Sequence, residues 1–349
     1  MRIASFLFGT ATCLMMRAQD VIVRQSADGP HFYYPELNTG AAVQEVLDDA
    51  IDGDTIYLAG VTYYLALNVP LTVDHQVVIT GTGVHPDSAT TAGRTVVSGN
   101  SGIWFETGSD GSELSGVIVE NWVDIPNGCA EAVTGLRFKR CWFGGLGIGA
   151  AGNGCPSICT NTLVEQCVIG ELRNKAASST TVRNCHIGSF EGGMSDTQVD
   201  NCIMTALSGN TATHFRSCIF LLNLAFEYTL EEPAYFEDNV WVMPTGGDLN
   251  FGTNVLGAIG EDVVNGLDEV FVNVNTFGTW HSFDLDYRVL PAWLNEGYMG
   301  NGVGVYSGPA PWKEGMLPYN PHWIGLNSTG VTDNGTLPNV QIKASAQQP

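Results

Sequence analysis

An apolar–charged–polar–Cys–any–apolar pattern recurs six times between Phe138 and Trp241. The copies are Phe138-Lys139-Arg140-Cys141-Trp142-Phe143, Val164-Glu165-Gln166-Cys167-Val168-Ile169, Val182-Arg183-Asn184-Cys185-His186-Ile187, Val199-Asp200-Asn201-Cys202-Ile203-Met204 and Phe215-Arg216-Ser217-Cys218-Ile219-Phe220. The sixth, Phe236-Glu237-Asp238-Asn239-Val240-Trp241, has Asn in place of Cys. The Cys-or-Asn positions are 26, 18, 17, 16 and 21 residues apart, the period of a solenoid in which each coil stacks on the last. Within a copy, Val182 and Cys185 are three apart, so no single straight strand puts both on one face. A bend resolves this. Val182 ends one strand, Arg183-Asn184 turns a corner, and Cys185-His186-Ile187 opens the next with Cys and Ile inward. Asn184 and Asn201 then sit at a corner where Asn accepts unusual backbone angles and can bond along the stack. Gly144, Gly170 and Gly188 mark the turn that follows.

This register assigns each column of the repeat a role. The five cysteines form an inward stack of small hydrophobes. The charges alternate in sign, Lys139, Glu165, Arg183, Asp200, Arg216 and Glu237. Parallel strands about 4.8 Å apart place each beside an opposite charge, as a structural ladder. Trp142, Val168, His186, Ile203, Ile219 and Val240 form an outward stripe too apolar for a solvated surface. Three covers compete for it: the chain's own segment from about Gly278 onward, a partner or second subunit, or sugar rings stacked on it.

Upstream, Ala42, Val43, Val46, Leu47, Ala50 and Ile51 recur at helical spacing. They predict a helix over Gly40 to Ile51, capped by Thr39 or Asn38 and ended by Gly53. Short strands follow at Asp54–Gly60, Thr62–Leu65 and Gln76–Gly81.

This order of elements resembles the start of the pectin-lyase-like right-handed parallel β-helices: a helix, then Gly53-Asp54-Thr55-Ile56-Tyr57-Leu58, Thr62-Tyr63 and Val78-Ile79-Thr80-Gly81-Thr82-Gly83. Near the end, Phe271-Val272-Asn273, Asp286-Tyr287-Arg288-Val289-Leu290-Pro291 and Gly302–Gly308 resemble the closing segment of secreted bacterial members, with Ala292-Trp293-Leu294 replacing the usual Ser-Pro-Ala. The resemblance covers roughly residues 38 to 310. It implies an all-β chain: a single-stranded right-handed parallel β-helix with an N-terminal capping helix and an irregular C-terminal tail. The expected divisions are a signal peptide at 1–18, an N-terminal segment and capping helix at 19–52, the β-helix at 53–278, and a closing segment and tail at 279–349. About ten coils of roughly 22 residues fit between Asp54 and Gly278.

Composition agrees with a strand-and-turn protein: 42 Gly and only 14% charged residues in 349. The net charge of −22 argues against nucleic acid and anionic membranes, and against polyanionic sugars unless calcium mediates. No motif supports calcium or another cofactor. Asp110-Gly111-Ser112-Glu113 lacks the remaining ligands of a calcium loop, and Asp284 and Asp286 are the one alternating pair on a late strand. Arg2, the apolar run Ile3–Met16 and Ala18 read as an export leader cut after Ala18 or Gln19. That predicts a secreted or outer-surface location, and no other stretch is apolar enough to span a membrane. Of nine cysteines, Cys13 leaves with the leader. Cys129, Cys155 and Cys159 fall outside the repeat, where Cys155 bridging Cys159 or Cys129 is the expected disulfide. No His lies near them to complete a zinc site.

Enzymes of the resembled family need clustered Asp with an Arg or Lys base, or Asn-Thr-Asp, Asp-Asp and Gly-His-Gly runs. The coils contain none of these, and Asp48-Asp49 falls in the capping helix. His186 and His214 are the histidines of the central repeats. Arg183, flanked by Glu165 and Asp200, stays charged and makes a poor base. The sequence therefore predicts a non-catalytic extracellular β-helix for carbohydrate binding, adhesion or surface assembly, with polysaccharide or another surface protein as partner. Its rivals are a polysaccharide lyase or glycoside hydrolase, and a subunit of an extracellular filament. Oligomeric state is left open.

Overall fold

A computed structural model describes residues 21–35, 38–85, 93–125, 132–149, 158–174, 177–192, 196–208, 213–222, 228–230, 234–243, 248–252, 255–274, 281–312, 322–327 and 341–345. The expected leader, Cys129 and Cys155 lie outside them. The chain is a parallel β-helix. Ten parallel strands among the described residues, from Asp54–Tyr57 to Gly257–Ile259, stack into one sheet, matching the ten coils expected. A second sheet, parallel throughout its described pairings, runs beside it from Thr62–Tyr64 to Asp262–Val264. The helix spans Gly40–Asp48, with Ala42 N–H donating to Thr39 Oγ1 as its cap, and buries Val43, Val46 and Leu47 over the first coil. The strands Val21–Gln25 and His31–Pro35 pair antiparallel beside it and extend the first sheet.

The repeat sets the register. Phe138, Val164, Val182, Val199, Phe215 and Phe236 are successive partners in the first sheet and all face the core. Cys141, Cys167, Cys185, Cys202 and Cys218 are fully buried free thiols. Asn239 continues their column by accepting from the Cys218 N–H at 2.8 Å, and Glu261 continues it one coil further. Aromatic rings fill the later coils: Phe220 stacks on Trp241 at 4.0 Å and Phe215 on Phe236 at 5.3 Å.

The corner is one residue in the left-handed region, repeated coil after coil. Arg140, Gln166, Asn184, Asn201, Ser217 and Asp238 have φ between 51° and 54°. Their backbone N–H groups donate along the stack, as from Asn184 to the Asp200 carbonyl at 3.0 Å. The amide side chains instead leave the stack: Asn184 Nδ2 donates to the Val305 and Ser307 carbonyls and Asn201 Nδ2 to the Gly302 carbonyl. This corrects the expectation that they would bond along it. Asn184→Ala is therefore expected to lose the αL tolerance and two hydrogen bonds, costing about 2–3 kcal/mol. Asn184→Gly keeps the backbone and loses only the bonds, about 1–2 kcal/mol by the same reasoning. Urea unfolding of the two variants checks the difference.

The expected turn at Gly144, Gly170 and Gly188 is a bend inside longer strands, Trp142–Ile148, Val168–Asn174 and His186–Glu191. The glycines at the bend let coils approach closely. A Cβ on Gly144 would lie 2.3 Å from the Glu120 carbonyl oxygen, and one on Gly170 2.4 Å from that of Gly144. The second sheet therefore has two legs, one on each side of the bend.

Candidate functional site

The first leg carries the apolar stripe, and it is covered. Val168, His186, Ile203, Ile219 and Val240 are 0–1% exposed, and Trp142 is half-buried. The cover is a strap, residues 281–312. Its Tyr287, Val289, Val303 and Val305 pack with Ile203, Ile219 and Val240, joined by Leu267, Val270 and Phe271. Further along, Phe283 and Trp312 pack with Trp142, Val168 and Ile118. The strap also follows the left-handed corner. Ser217 Oγ accepts from Tyr298 N–H at 2.8 Å, and Gln166 Nε2 donates to the Ala310 and Pro311 carbonyls. The chain's own closing segment thus covers the stripe from Val168 to Val240 and leaves Trp142 half-buried at its end.

The charge ladder forms in register, Lys139 through Glu237 being successive neighbours. Its contacts are pairwise: Arg183 Nε to Glu165 at 2.7 Å, and Arg216 to Asp200 at 2.8 Å, which holds the Arg216 guanidinium above its usual range. Lys139 departs from the ladder and pairs with Glu113 at 2.7 Å. His214 lies on the same outward face, 3.4 Å from Glu237. The late carboxylates do not converge: Asp284 sits in an exposed turn, and Asp286 is bound by Arg288 two residues on. Of the cysteines outside the repeat, Cys159 alone lies among the described residues. Its thiol is free and fully buried in the column of Val133, 3.0 Å from the Thr162 hydroxyl.

The second leg carries what the repeat did not reveal. After the bend, Leu146, Leu172 and Phe190 face the core, so the residues flanking them face out. Two outward columns result: Trp122, Gly145, Glu171 and Ser189, and Trp104, Asp124, Gly147, Arg173, Glu191 and Ser208. The missing side chain of Gly145 leaves a shelf for the indole of Trp122, since a Cβ there would come within 2.5 Å of the ring. Arg173 stands over that ring at 4.3 Å from its centroid. It is held from both sides, by Glu171 at 2.7 Å and Glu191 at 3.1 Å. Asp124 shares the Arg173 column. Burial pushes its carboxyl above the ordinary range while Arg173 pulls it back.

Chemically, this is an aromatic shelf bordered by three carboxylates and one arginine whose charge they neutralise. Its carboxylates can accept hydrogen bonds from hydroxyls, beside an indole packed on Gly145 and covered by the Arg173 guanidinium. Arg173, pinned by two carboxylates, is no base. No group of three or more His, Cys, Asp or Glu suited to a metal ion occurs among the described residues, and no helix there is long and apolar enough to cross a membrane. No protein-family model, curated protein or solved structure matches the chain. The arrangement rests on its own geometry.

Proposed function

We propose that this protein is an exported, non-catalytic β-helix that holds polysaccharide on the Trp122–Arg173 face. The observation that carries the reading is the Trp122 indole laid over Gly145 and braced by Arg173, beside outward Asp124, Glu171 and Glu191. A rigid aromatic flanked by hydrogen-bond acceptors suits a sugar, one face apolar and its edge hydroxylated. With Arg173 neutralised and a net charge of −22, neutral glycans fit better than polyanionic ones. The apolar leader supports export to the cell surface or medium, and the opening helix-and-strand order supports kinship with pectin-lyase-like proteins.

Affinity electrophoresis in gels containing neutral plant, algal or bacterial glycans tests the proposal. At least one glycan retards the protein, and Trp122→Ala weakens retention about 30-fold, equivalent to about 2 kcal/mol for a central aromatic anchor. No retardation by any glycan sinks it. The raised carboxyl of Asp124 favours a second reading, glycoside hydrolysis with Asp124 as general acid. Reducing ends released by wild type and not by Asp124→Asn select that reading instead.

A further inference from the structure

The strap meets the β-helix through two histidines. His186 is 1% exposed, and its Nδ1 lies 2.6 Å from Nδ1 of His281 on the strap. Only one proton fits between two nitrogens at that distance, so one ring donates and the other accepts. The pair is walled by aromatic rings. Tyr287 lies 4.3 Å from His186, and Phe283 and Trp142 lie 4.8 and 5.7 Å from His281. Val168 and Ile203 flank His186 on the neighbouring coils. The other ionisable groups facing the pair are His85, which contacts Phe283, and Tyr287, whose hydroxyl accepts from the Ser282 N–H. Of the strap's charges, Asp284, Arg288 and Glu296 are exposed and Asp286 is bound to Arg288. No carboxylate pairs with His186 among the described residues, and its buried Nε2 has no hydrogen-bond partner.

We propose that the His186–His281 contact is an acid-sensitive latch: charging the pair unseats the strap and uncovers the apolar stripe beneath it. Two protonated rings would set N–H against N–H at Nδ1, with an Nε2–H of His186 facing apolar wall. Burial holds both rings far below the usual histidine range, His281 at about 3. The sign follows. Above about pH 6.5, the usual histidine value, both rings are neutral whether the strap is docked or released, and docking does not depend on pH. Below it the released rings take up protons that the docked rings cannot. Docking then weakens by up to about tenfold per pH unit for each ring. The effect is complete for His281 only near its docked value.

The test is a titration of the full chain from pH 8 to 4, following a dye that binds exposed apolar surface, with far-ultraviolet circular dichroism reporting the stack. Dye binding is expected to rise below about pH 6 while the strand signal holds, as the usual histidine range dictates. His186→Phe and His281→Phe are each expected to move that rise at least about one pH unit lower, and His75→Phe, on an exposed loop, to leave it in place. If those variants fail to fold, hydrogen exchange on the unmodified protein decides. The Gly304 and Trp312 amides, bonded to the Ser217 and Val305 carbonyls, then lose protection below about pH 6 relative to the strands, as the same range dictates. A flat dye signal to pH 4, an unshifted rise in both variants, or loss of dye exclusion and strand signal together overturns the latch.

Discussion

Gly102→Ala is expected to collapse the face that carries Trp122. A Cβ at position 102 would lie 1.6 Å from the Trp122 carbonyl oxygen and 2.7 Å from its carbon. Neither partner can retreat. Trp122 belongs to the strand Ile118–Ile125, which is bound on one side to Trp142–Ile148 and on the other to Ile103–Phe105. Gly102 leads into that last strand, and its own carbonyl accepts from Leu71 N–H at 3.0 Å. Relief must come from parting the coils. Overpacking of a core costs about 1–3 kcal/mol where side chains can give way. Here backbone meets backbone, so the expected loss is about 3 kcal/mol or more, a large share of a typical domain's stability. Gly257→Ala is the control: its Cβ meets Tyr235 at an ordinary 3.4 Å. Thermal melts and glycan retention should fall sharply for the first variant and stay near wild type for the second. A Gly102→Ala protein with a wild-type melt and intact retention would refute the close approach.

Why the sequence foretold the stack better than the site is visible at the same bend. The column logic needed only local spacing. One apolar residue three before a cysteine demanded a corner, and the corner residues proved left-handed in all six copies. The second leg was equally local: Trp122-Val123-Asp124, Glu171-Leu172-Arg173 and Ser189-Phe190-Glu191 alternate polar or aromatic with core residues. Reading Gly144, Gly170 and Gly188 as the end of each strand cut the register one step short of it. Glycine marks a turn and a close approach alike, and only the neighbouring coil distinguishes them. The strap is a different case. Val305 reaches Asn184 across 121 residues, and residues 281–312 have no repeat to register them against the coils. An over-apolar outward stripe signalled that a cover exists, but the fit of strap carbonyls to the Asn184 and Asn201 amides follows from tertiary structure alone. The same holds for His281, which no motif ties to His186.

A chain ending at Val274 is expected to lose its solubility or its later coils. The strap contributes Tyr287, Val289, Val303 and Val305, each no more than 8% exposed. At about 1.5–3 kcal/mol per buried side chain, these four represent about 6–12 kcal/mol of gross burial, reduced by the entropy of ordering the segment. Truncation also bares Ile203, Ile219 and Val240 and strips the Asn184 and Asn201 amides of their acceptors. The loss is not uniform, because each coil of a solenoid leans on its neighbours alone. The coils nearest the capping helix bury Val46, Ile56 and Val97 without help from the strap. They should survive in milder denaturant than unfolds the intact chain, while coils from about Cys185 to Trp241 melt first. Urea titration of the truncated chain, followed by circular dichroism and by dye binding, should show two steps where the full chain shows a later loss. A truncated protein that stays soluble, binds no dye and keeps the full chain's urea midpoint would mean that the stripe does not depend on its cover. The latch would then have nothing to expose.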